Sequence, residues 1–595
     1  MNTETVAPEP NQTQTAAPVV LQDLRTQPVA LITKNGSKKF IIKLDEVEQD
    51  EGGVSLSVWA TQPNVQFCLA TSTKAFQFKT THIARPDVEA SLAGGQNQKI
   101  TGYRLVAELS TPLAEDAYLT FSLEGKIYAY KLPLKKVFSA TWDIAELPPE
   151  NSTQAKAHID LCGVILGKVG ALSGWSIAKP GVTLWLVDSK GNKKNLSTCL
   201  RYHRDDVAKI FSNEFSSQIN YAGFVTDWPY PQEASDRIAI VEECADQFKL
   251  IASNPWSVVA DDPVNYAKFS FSLATPAQDF DTRLNNWEGD VINSLIFERN
   301  LENQRNEQPS TSWKFGKLAT DEVKTSVIIP LYGRWDFVEH QLSAFAKDPA
   351  FKTHTEIIYV IDDPALINAF VNEAESLFKL YQVPFTIIWG HRNRGFSGAN
   401  NLGVKHSHGE TLILLNSDVF PRHPGWVEAL AQCLEDHPDY GMIGARLLFP
   451  DGSIQHCGMQ FVFSESWNVW LNKHPLAGLD PILDQASGLT EKPAITGACV
   501  AIKRKIYEQI EGLDEGYLIG DFEDSDLCMK VHAQGLKIGY MPSVELTHLE
   551  RQSFTLLGDV SYRTLVVRFN AWRHTKKWGK QIEQVMSTFG SEYSS

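Results

Sequence analysis

The stretch TSVIIPL (325–331) decides the fold class of the C-terminal half. An amphipathic helical pattern follows it at 337–346, and a second apolar run, EIIYVID, follows at 356–362. Buried strands that alternate with helices form a mostly parallel sheet covered by helices on both faces. The sequence therefore predicts a doubly wound, Rossmann-like α/β domain over residues 324–595.

The same alternation continues along the chain. The patterns predict helices over 366–381, from Gly395, over 503–511 and from near Asp526 to before Gly535, and strands over 385–390, 411–416, 495–502 and 537–542. Ligands of such sheets bind beyond the carboxyl ends of the strands. Polar residues at those ends are therefore the candidates for a site.

Polar clusters follow four successive strands. They are Tyr332-Gly333-Arg334, Asp362-Asp363, His391-Arg392-Asn393-Arg394-Gly395 and Asn416-Ser417-Asp418. The predicted topology brings all four clusters to one edge of the sheet. This arrangement favours a binding crevice over four unrelated loops.

Asp418 directly follows a buried strand and has two interpretations. Taken alone, it is best explained as the N-cap of a helix near Pro424. A carboxylate in this position can also hold a hard divalent cation and leave ligand positions free for phosphate oxygens. Such a cation offsets the charge of a diphosphate leaving group.

The segment GDFEDSDLCMKVHAQG (520–535) concentrates negative charge. Its acids are Asp521, Glu523, Asp524 and Asp526. The helix dipole accounts for Asp526 and one neighbour. Clustered carboxylates also raise one another's pKa, which makes a general base plausible. His548 follows near a strand end, where it is either structural or a metal ligand.

The N-terminal half has a different pattern. We predict a disordered tail at 1–20, an all-β, sandwich-like domain at 21–150, a second β-rich domain at 151–275 and a helical linker at 276–323. Strands are indicated at 40–44, 54–60, 103–109 and 118–125, and a helix at 280–305.

Composition limits the function classes. The net charge of −16 argues against broad nucleic-acid binding. Eight scattered cysteines without a CxxC pair favour a reducing compartment. With no apolar run of membrane-spanning length and no signal-peptide pattern, we expect a cytoplasmic protein, with association at the inner membrane face left open.

Eight segments in order resemble the family-2 glycosyltransferases with the GT-A fold, particularly bacterial rhamnosyltransferase-like members. They are VIIPLYGR (327–334), VIDD (360–363), NRGFSGANNLG (393–403), LLNSDV (414–419), PDGSIQHCG (450–458), TGACVAIKRKIYEQIEGLDEGY (496–517), FEDSDLC (522–528) and PSVELTHLERQS (542–553). The match covers roughly the last 270 residues and none of the first 310.

The resemblance implies roles for individual residues. A nucleotide-sugar site would comprise Pro330, Tyr332, Arg334, Asp362, Asp363, Arg392, Asn393, Gly395, Asn416, Ser417 and Gly497, with Arg392 or Arg394 near the phosphates. Asp418 matches the last acid of the family's Asp-x-Asp metal motif, whose first acid is Asn416 here, and His548 matches a further metal ligand. Asp524 matches the catalytic base, with Glu523 beside it.

The resemblance also implies the reaction. A single in-line displacement would move a sugar from a UDP-, dTDP- or GDP-sugar to a glycan, a lipid-linked glycan or a protein, with inversion and with manganese or magnesium as cofactor. The pathway implied is the biosynthesis of bacterial surface polysaccharide or O-antigen.

Two alternatives remain. A sugar-1-phosphate nucleotidylyltransferase is disfavoured because Leu92-Ala93-Gly94-Gly95 lacks the Gly-Thr-Arg continuation, and GVILGKVGALSG (163–174) is not a dinucleotide motif. A non-catalytic glycan-binding or scaffolding protein is supported by Asn416. Its sugar contacts would come from the tryptophans Trp175, Trp185 or Trp228, whereas Trp467 and Trp470 would either stack on an acceptor or lie in the core.

Overall fold

A computed structural model gives the fold. It describes residues 19–21, 29–32, 39–50, 53–61, 65–71, 75–84, 101–108, 117–123, 126–132, 152–215, 219–244, 247–273, 279–549 and 560–589. The chain forms two compact units, Met1–Trp142 and Asp143–Ser595. Residues 1–18 of the predicted tail and the turn at 92–95 lie outside the described residues.

The first unit consists of strands in its described parts. They are β1 (Val19–Val20), β2 (Val29–Ile32), β3 (Lys39–Asp50), β4 (Gly53–Ala60), β5 (Phe67–Thr71), β6 (Ala75–Gln77), β7 (Lys79–Ala84), β8 (Thr101–Glu108), β9 (Ala117–Leu123) and β10 (Lys126–Lys131). Their orders are β1-β10-β9-β5-β6 and β2-β3-β4-β8-β7. Alternate residues such as Phe40, Ile42 and Phe121 enter one shared core, as the period of a strand requires. The four predicted strands are confirmed.

The second unit begins with two further sheets. Its strands are β11 (Ala155–Val164), β12 (Gly170–Ala178), β13 (Thr183–Asp188), β14 (Lys193–Asn195), β15 (Leu200–Tyr202), β16 (Gly223–Trp228), β17 (Arg237–Cys244), β18 (Gln247–Pro255) and β19 (Ser257–Val258). They pair in the orders β15-β16-β12-β11-β19 and β14-β13-β17-β18. Leu172 and Phe224 of one sheet share a core with Leu186 and Ile240 of the other. The glycine-rich stretch 163–174 is the antiparallel β11–β12 connection and its flanks.

Helices join these sheets to the rest of the unit. They are α1 (Asp205–Phe211), α2 (Pro263–Phe271), α3 (Phe280–Arg283) and α4 (Gly289–Arg305), with a π-helical turn at Leu284–Glu288 and 3-10 turns at Leu196–Thr198 and Ile219–Tyr221. The predicted helix over 280–305 is confirmed. A Cβ at Gly289 would lie 2.2 Å from the Trp572 ring, so this helix packs closely against the C-terminal helix.

One mixed sheet forms the centre of the α/β region. Its strands are β20 (Thr311–Phe315), β21 (Thr325–Leu331), β22 (Thr355–Ile361), β23 (Phe385–Trp389), β24 (Thr411–Leu415), β25 (Val419–Pro421), β26 (Tyr440–Leu448), β27 (Ile454–His456), β30 (Thr490–Glu491), β31 (Cys499–Lys503) and β32 (Lys537–His548), beside a separate pair, β28 (Gln460–Ser464) and β29 (Val469–Lys473). The main order is β20-β23-β22-β21-β24-β31-β26-β32-β25.

The prediction of a mostly parallel sheet holds for the run β23-β22-β21-β24 and for the pair β26–β32, and it is wrong for the other neighbouring strands of the main order. Strand β31 is antiparallel to both β24 and β26. Its residues Cys499–Ile502 are all buried, so their apolar pattern is the same for either strand direction.

Helices cover both faces of this sheet. They are α5 (Phe337–Phe345), α6 (Ala350–Thr353), α7 (Ile367–Tyr381), α8 (Gly395–Lys405), α9 (Trp426–Asp436), α10 (Arg504–Gln509), α11 (Glu523–Ala533) and α12 (Val560–Phe589), with 3-10 turns at Pro364–Leu366 and Pro481–Leu483. Val327 and Ile329 enter the core on one face and Ile328 the core on the other. Among the described helices, none is long and apolar enough to cross a membrane.

Candidate functional site

Hydrogen bonds connect the first three polar clusters at the carboxyl edge of the sheet. Asp363 accepts a bond from the Gly333 backbone N–H at 3.2 Å. Asp362 is buried and accepts one from the Arg394 backbone N–H at 2.6 Å. Burial raises the pKa of Asp362 to about 8, against the opposing effect of that hydrogen bond. The topology therefore brings these clusters together, as the sequence predicts.

The two arginines of the third cluster share an acidic partner. The Arg392 and Arg394 guanidinium groups each lie 2.8 Å from a carboxylate oxygen of Glu307. The pair lowers the pKa of Glu307. Glu307 lies in a polar stretch that looks like a simple connection, so the sequence carries no signal for this role.

The other residues predicted to bind the nucleotide lie along the same edge of the sheet. Asn393 accepts a bond from the Gly395 backbone N–H at 2.9 Å where α8 begins. Pro330 is half-buried at the end of β21, and Tyr332 is exposed. The Arg334 guanidinium lies 3.9 Å from the centre of the Phe337 ring.

Asp418 and His548 form a buried pair. They are 7% and 6% exposed, and Asp418 Oδ1 lies 3.4 Å from His548 Nε2. Pairing of β25 with β32 brings them together, since Val419 is in register with His548. The N-cap interpretation of Asp418 is wrong, because α9 begins at Trp426 with Gly425 as its N-cap residue.

Two buried polar atoms, one in this pair and one on nearby Asn416, lack a partner among the described residues. Asn416 Oδ1 and His548 Nδ1 are buried and have no hydrogen-bond partner among the described residues. Ser417 is half-buried between Asn416 and Asp418. An amide oxygen, a carboxylate and an imidazole fit a divalent cation. In the part of the chain that the structure describes, no three His, Cys, Asp or Glu side chains converge on one metal position, so a cation held here would need further ligands.

Helix α11 presents the predicted catalytic acids. It begins at Glu523, so the predicted start near Asp526 is wrong. Asp524 Oδ2 accepts a bond from the Gly497 backbone N–H at 3.0 Å. Glu523 is buried, and its pKa is raised well above the ordinary value by burial and then by the charges of Asp524 and Asp521. Its Oε2 finds no hydrogen-bond partner within the described residues.

Asp526 has a structural role. It is fully buried, and Oδ1 receives bonds from Lys577 at 2.6 Å and Trp578 at 2.7 Å. Tyr517 donates to the same oxygen at 3.1 Å. These bonds attach α11 to the C-terminal helix, which the helix-dipole explanation does not anticipate.

A strained turn precedes Glu523. Ile519, Asp521 and Phe522 have φ values of 66°, 84° and 74°, in a region that residues other than glycine rarely adopt. The buried Asn570 side chain donates to the carbonyls of Leu518, Gly520 and Asp521 and accepts from the Leu518 backbone N–H at 3.0 Å. Asn570 lies on α12, far along the chain, so no local pattern reveals it.

Gly497 lies next to the acids of α11 and one residue before a backbone contact with Asn416. A Cβ here would lie 3.2 Å from the Asp524 Cβ and 3.7 Å from the Phe396 ring. The next residue, Ala498, accepts a bond from the Asn416 backbone N–H at 3.0 Å. Asp524 and Asn416 therefore contact two consecutive residues, Gly497 and Ala498. Trp467 and Trp470 pack partly buried against hydrophobic cores.

We expect Asp362 to make folding stability depend on pH. An unfolded Asp titrates near pH ~3.9, whereas burial raises the pKa of Asp362 to about 8. Between these values only the folded state keeps the proton, so the free energy of unfolding falls as pH rises, by at most about 1.4 kcal/mol per pH unit. Urea unfolding between about pH 5 and about pH 8 should show a steeper fall for the wild type than for Asp362→Asn. Equal slopes would mean that Asp362 is already ionised in the folded state.

The fold and the site define a class. Parallel strands with polar clusters at their carboxyl ends are typical of α/β domains that bind a ligand at this edge of the sheet. Residues 326–511 match the family model described as Glycosyl transferase family 2.

Individual relatives match parts of the chain. Uncharacterized protein y4gI of Sinorhizobium fredii is 36% identical over 162 residues, covering 27% of this chain and 17% of the relative. O-antigen biosynthesis protein RfbC of Myxococcus xanthus is 25% identical over a match that covers 39% of this chain and 18% of the relative. The N-acetylglucosaminyl-diphospho-decaprenol L-rhamnosyltransferase of Mycobacterium tuberculosis is 28% identical over a match that covers 24% of this chain and 48% of the relative. The match therefore spans less than half the length of each of these relatives.

Proposed function

We propose that the α/β region transfers a sugar from a nucleoside-diphosphate sugar to a hydroxyl group of an acceptor. One observation carries the proposal: Asp524 accepts a bond from the Gly497 backbone N–H, and the next residue, Ala498, accepts one from Asn416, two residues before Asp418 of the Asp418–His548 pair. A base and an anion-stabilising site side by side are the two groups that glycosyl transfer to a hydroxyl requires.

The donor nucleotide would occupy the edge formed by the first three clusters. Pro330, Tyr332, Asp362 and Asp363 would line the base pocket, and Asn393 and Gly395 would lie beside the nucleotide. Because Arg392 and Arg394 are both paired with Glu307, a phosphate contact from either one requires that this ion pair be shared or opened.

Asp418 and His548 would hold a divalent cation, either manganese or magnesium, with Asn416 as a neutral neighbour. When bound, the cation would supply charge stabilisation for a leaving diphosphate. Asn416 brings an oxygen but no charge, so the protein contributes one negative charge fewer than an Asp-x-Asp motif does.

Asp524 would act as the general base. It takes the proton from the acceptor hydroxyl, whose oxygen forms a bond to the anomeric carbon. The bond from that carbon to the phosphate oxygen breaks, and the nucleoside diphosphate leaves with the electron pair. Glu523 lies beside Asp524, and the raised pKa of Glu523 favours the neutral form of that side chain. A single displacement inverts the anomeric configuration.

We further propose an acceptor among glycans, lipid-linked glycans or proteins, in the assembly of a bacterial surface polysaccharide. The names of RfbC and of the mycobacterial rhamnosyltransferase support this direction. Asn416, in place of an acid, favours a second candidate, a glycan-binding protein with a transferase-like domain that has lost catalysis.

Nucleotide binding separates the two candidates. We expect calorimetry to show that the wild type binds one of the nucleotides UDP, dTDP and GDP. Manganese should increase the affinity for that nucleotide about tenfold or more. Asp418→Ala should lose the manganese effect, because it removes the buried carboxylate. Glu375→Ala, which removes an exposed acid on α7, should behave as the wild type. If no nucleotide binds in any condition, the transferase proposal fails and the glycan-binding candidate is favoured.

A further inference from the structure

The β-rich part of the second unit contains a cavity separate from the proposed transferase site. Its volume is about 470 Å³, within the usual range for small-molecule sites. It is lined by parts of β12, β13 and β15 and by the two 3-10 turns near them. None of the residues predicted for donor binding or catalysis lines it.

The described lining of the cavity carries positive charge and no negative charge. Among the described residues that line the cavity, Arg201 is the one charged side chain. Its guanidinium donates to Ser176 Oγ at 2.9 Å and to the carbonyls of Ser176, Ala222 and Tyr221. All of these partners are neutral, and no carboxylate in the described parts of the chain pairs with Arg201. A partly buried cation without a counter-ion favours an anionic ligand.

The rest of the lining suits a hydroxyl-rich ligand. Thr183, Asn195 and Ser197 supply hydroxyl and amide groups beside apolar neighbours. Tyr221 is 55% exposed at the lining, and its ring centre lies 4.0 Å from that of His203. Few polar groups on an apolar and aromatic wall are typical of sites that orient a small ligand.

The tryptophans predicted to contact carbohydrate are elsewhere. Trp228 is fully buried in the core between the two sheets. Trp185 donates from its indole to Glu243 at 2.7 Å, and Trp175 packs against Phe211. The cavity is thus a different place from the one that the aromatic content of the sequence indicates.

We propose that this cavity binds a carboxylate-bearing sugar unit, such as a uronic acid residue of a glycan, with its carboxylate on Arg201. Nε and Nη2 of Arg201 donate all their hydrogens to backbone carbonyls, and Nη1 donates one of its two to Ser176 Oγ. The second Nη1 hydrogen remains for a single charge-assisted hydrogen bond to the ligand carboxylate.

The test compares methyl glucuronide with methyl glucoside, which differ in the carboxylate. In calorimetric titrations, methyl glucuronide should bind at least tenfold more tightly than methyl glucoside. Arg201→Gln should weaken glucuronide binding at least tenfold, and Tyr221→Ala should weaken it several-fold. Two control variants should bind the glucuronide as the wild type does. Lys179→Gln removes a positive charge next in sequence to the lining residue Ala178 but not itself part of the lining. Asp418→Ala changes the proposed transferase site.

Each other outcome overturns the proposal. Equal binding of the glucoside removes the role of the carboxylate, and equally tight binding of inorganic phosphate makes the cavity a general anion site. Absence of glucuronide binding overturns it directly. If Arg201→Gln loses its thermal unfolding transition, Tyr221→Ala decides, because a variant at an exposed side chain that binds normally contradicts a sugar in this cavity.

Discussion

Asp524→Asn should lower the rate of sugar transfer by about 10²–10⁴-fold, the usual contribution of a general base. The amide has nearly the size of the carboxylate but cannot accept a proton from an acceptor hydroxyl. Nucleotide affinity should remain within about threefold of the wild type, because the base pocket and the Asp418–His548 pair are unchanged. The rate is measured as release of nucleoside diphosphate from UDP-, dTDP- and GDP-sugars in the presence of glycan acceptors.

The controls separate chemistry from folding. Asp524 accepts bonds from the Gly497 and Ser525 backbone N–H groups, and an amide oxygen can replace only one of these contacts, so a loss of about 1–3 kcal/mol in unfolding free energy is expected. Glu523→Gln keeps the neutral form that its raised pKa favours and should retain far more activity. If the rates of Asp524→Asn and the wild type agree, another group is the base.

The sequence predicts which polar residues lie at the carboxyl edge of the sheet. Asp362 follows a buried apolar strand directly and Asp418 follows another after two residues, and parallel strands end on the same side. Their placement therefore depends on strand direction alone, which the helices between these strands impose. The proximity of Asp418 to His548 needs in addition the pairing of two strands distant in the chain, for which only the family resemblance gave a reason.

Other parts of the site depend on contacts that no local pattern records. Glu307 belongs to a polar stretch, yet it binds two arginines of the third cluster. The start of α11 is misplaced by sequence because residues 519–522 adopt left-handed backbone angles that tertiary contacts impose. Propensity describes what a segment prefers locally, so it fails where buried side chains from elsewhere hold a strained turn.

Asn570→Ala should lower the transfer rate by about 10–100-fold and the unfolding free energy by about 1–3 kcal/mol. The Asn570 side chain bonds to both the backbone N–H and the carbonyl of Leu518 and to the carbonyls of Gly520 and Asp521. Without it, the turn can relax from its left-handed angles and displace the start of α11. Asn570 is thus a positioning residue for Glu523 and Asp524, and nucleotide affinity should change little.

Two variants make the test specific. Gln581→Ala removes an exposed amide from the same helix and should leave the rate and the urea midpoint unchanged. Asn570→Asp places a buried carboxylate oxygen against the three carbonyls that the amide donates to, so its rate should fall at least as far as that of Asn570→Ala. If Asn570→Ala unfolds at the wild-type urea concentration and transfers sugar normally, the turn does not depend on this clamp. Its strain must then be supported by Phe522, whose buried ring packs beside His574.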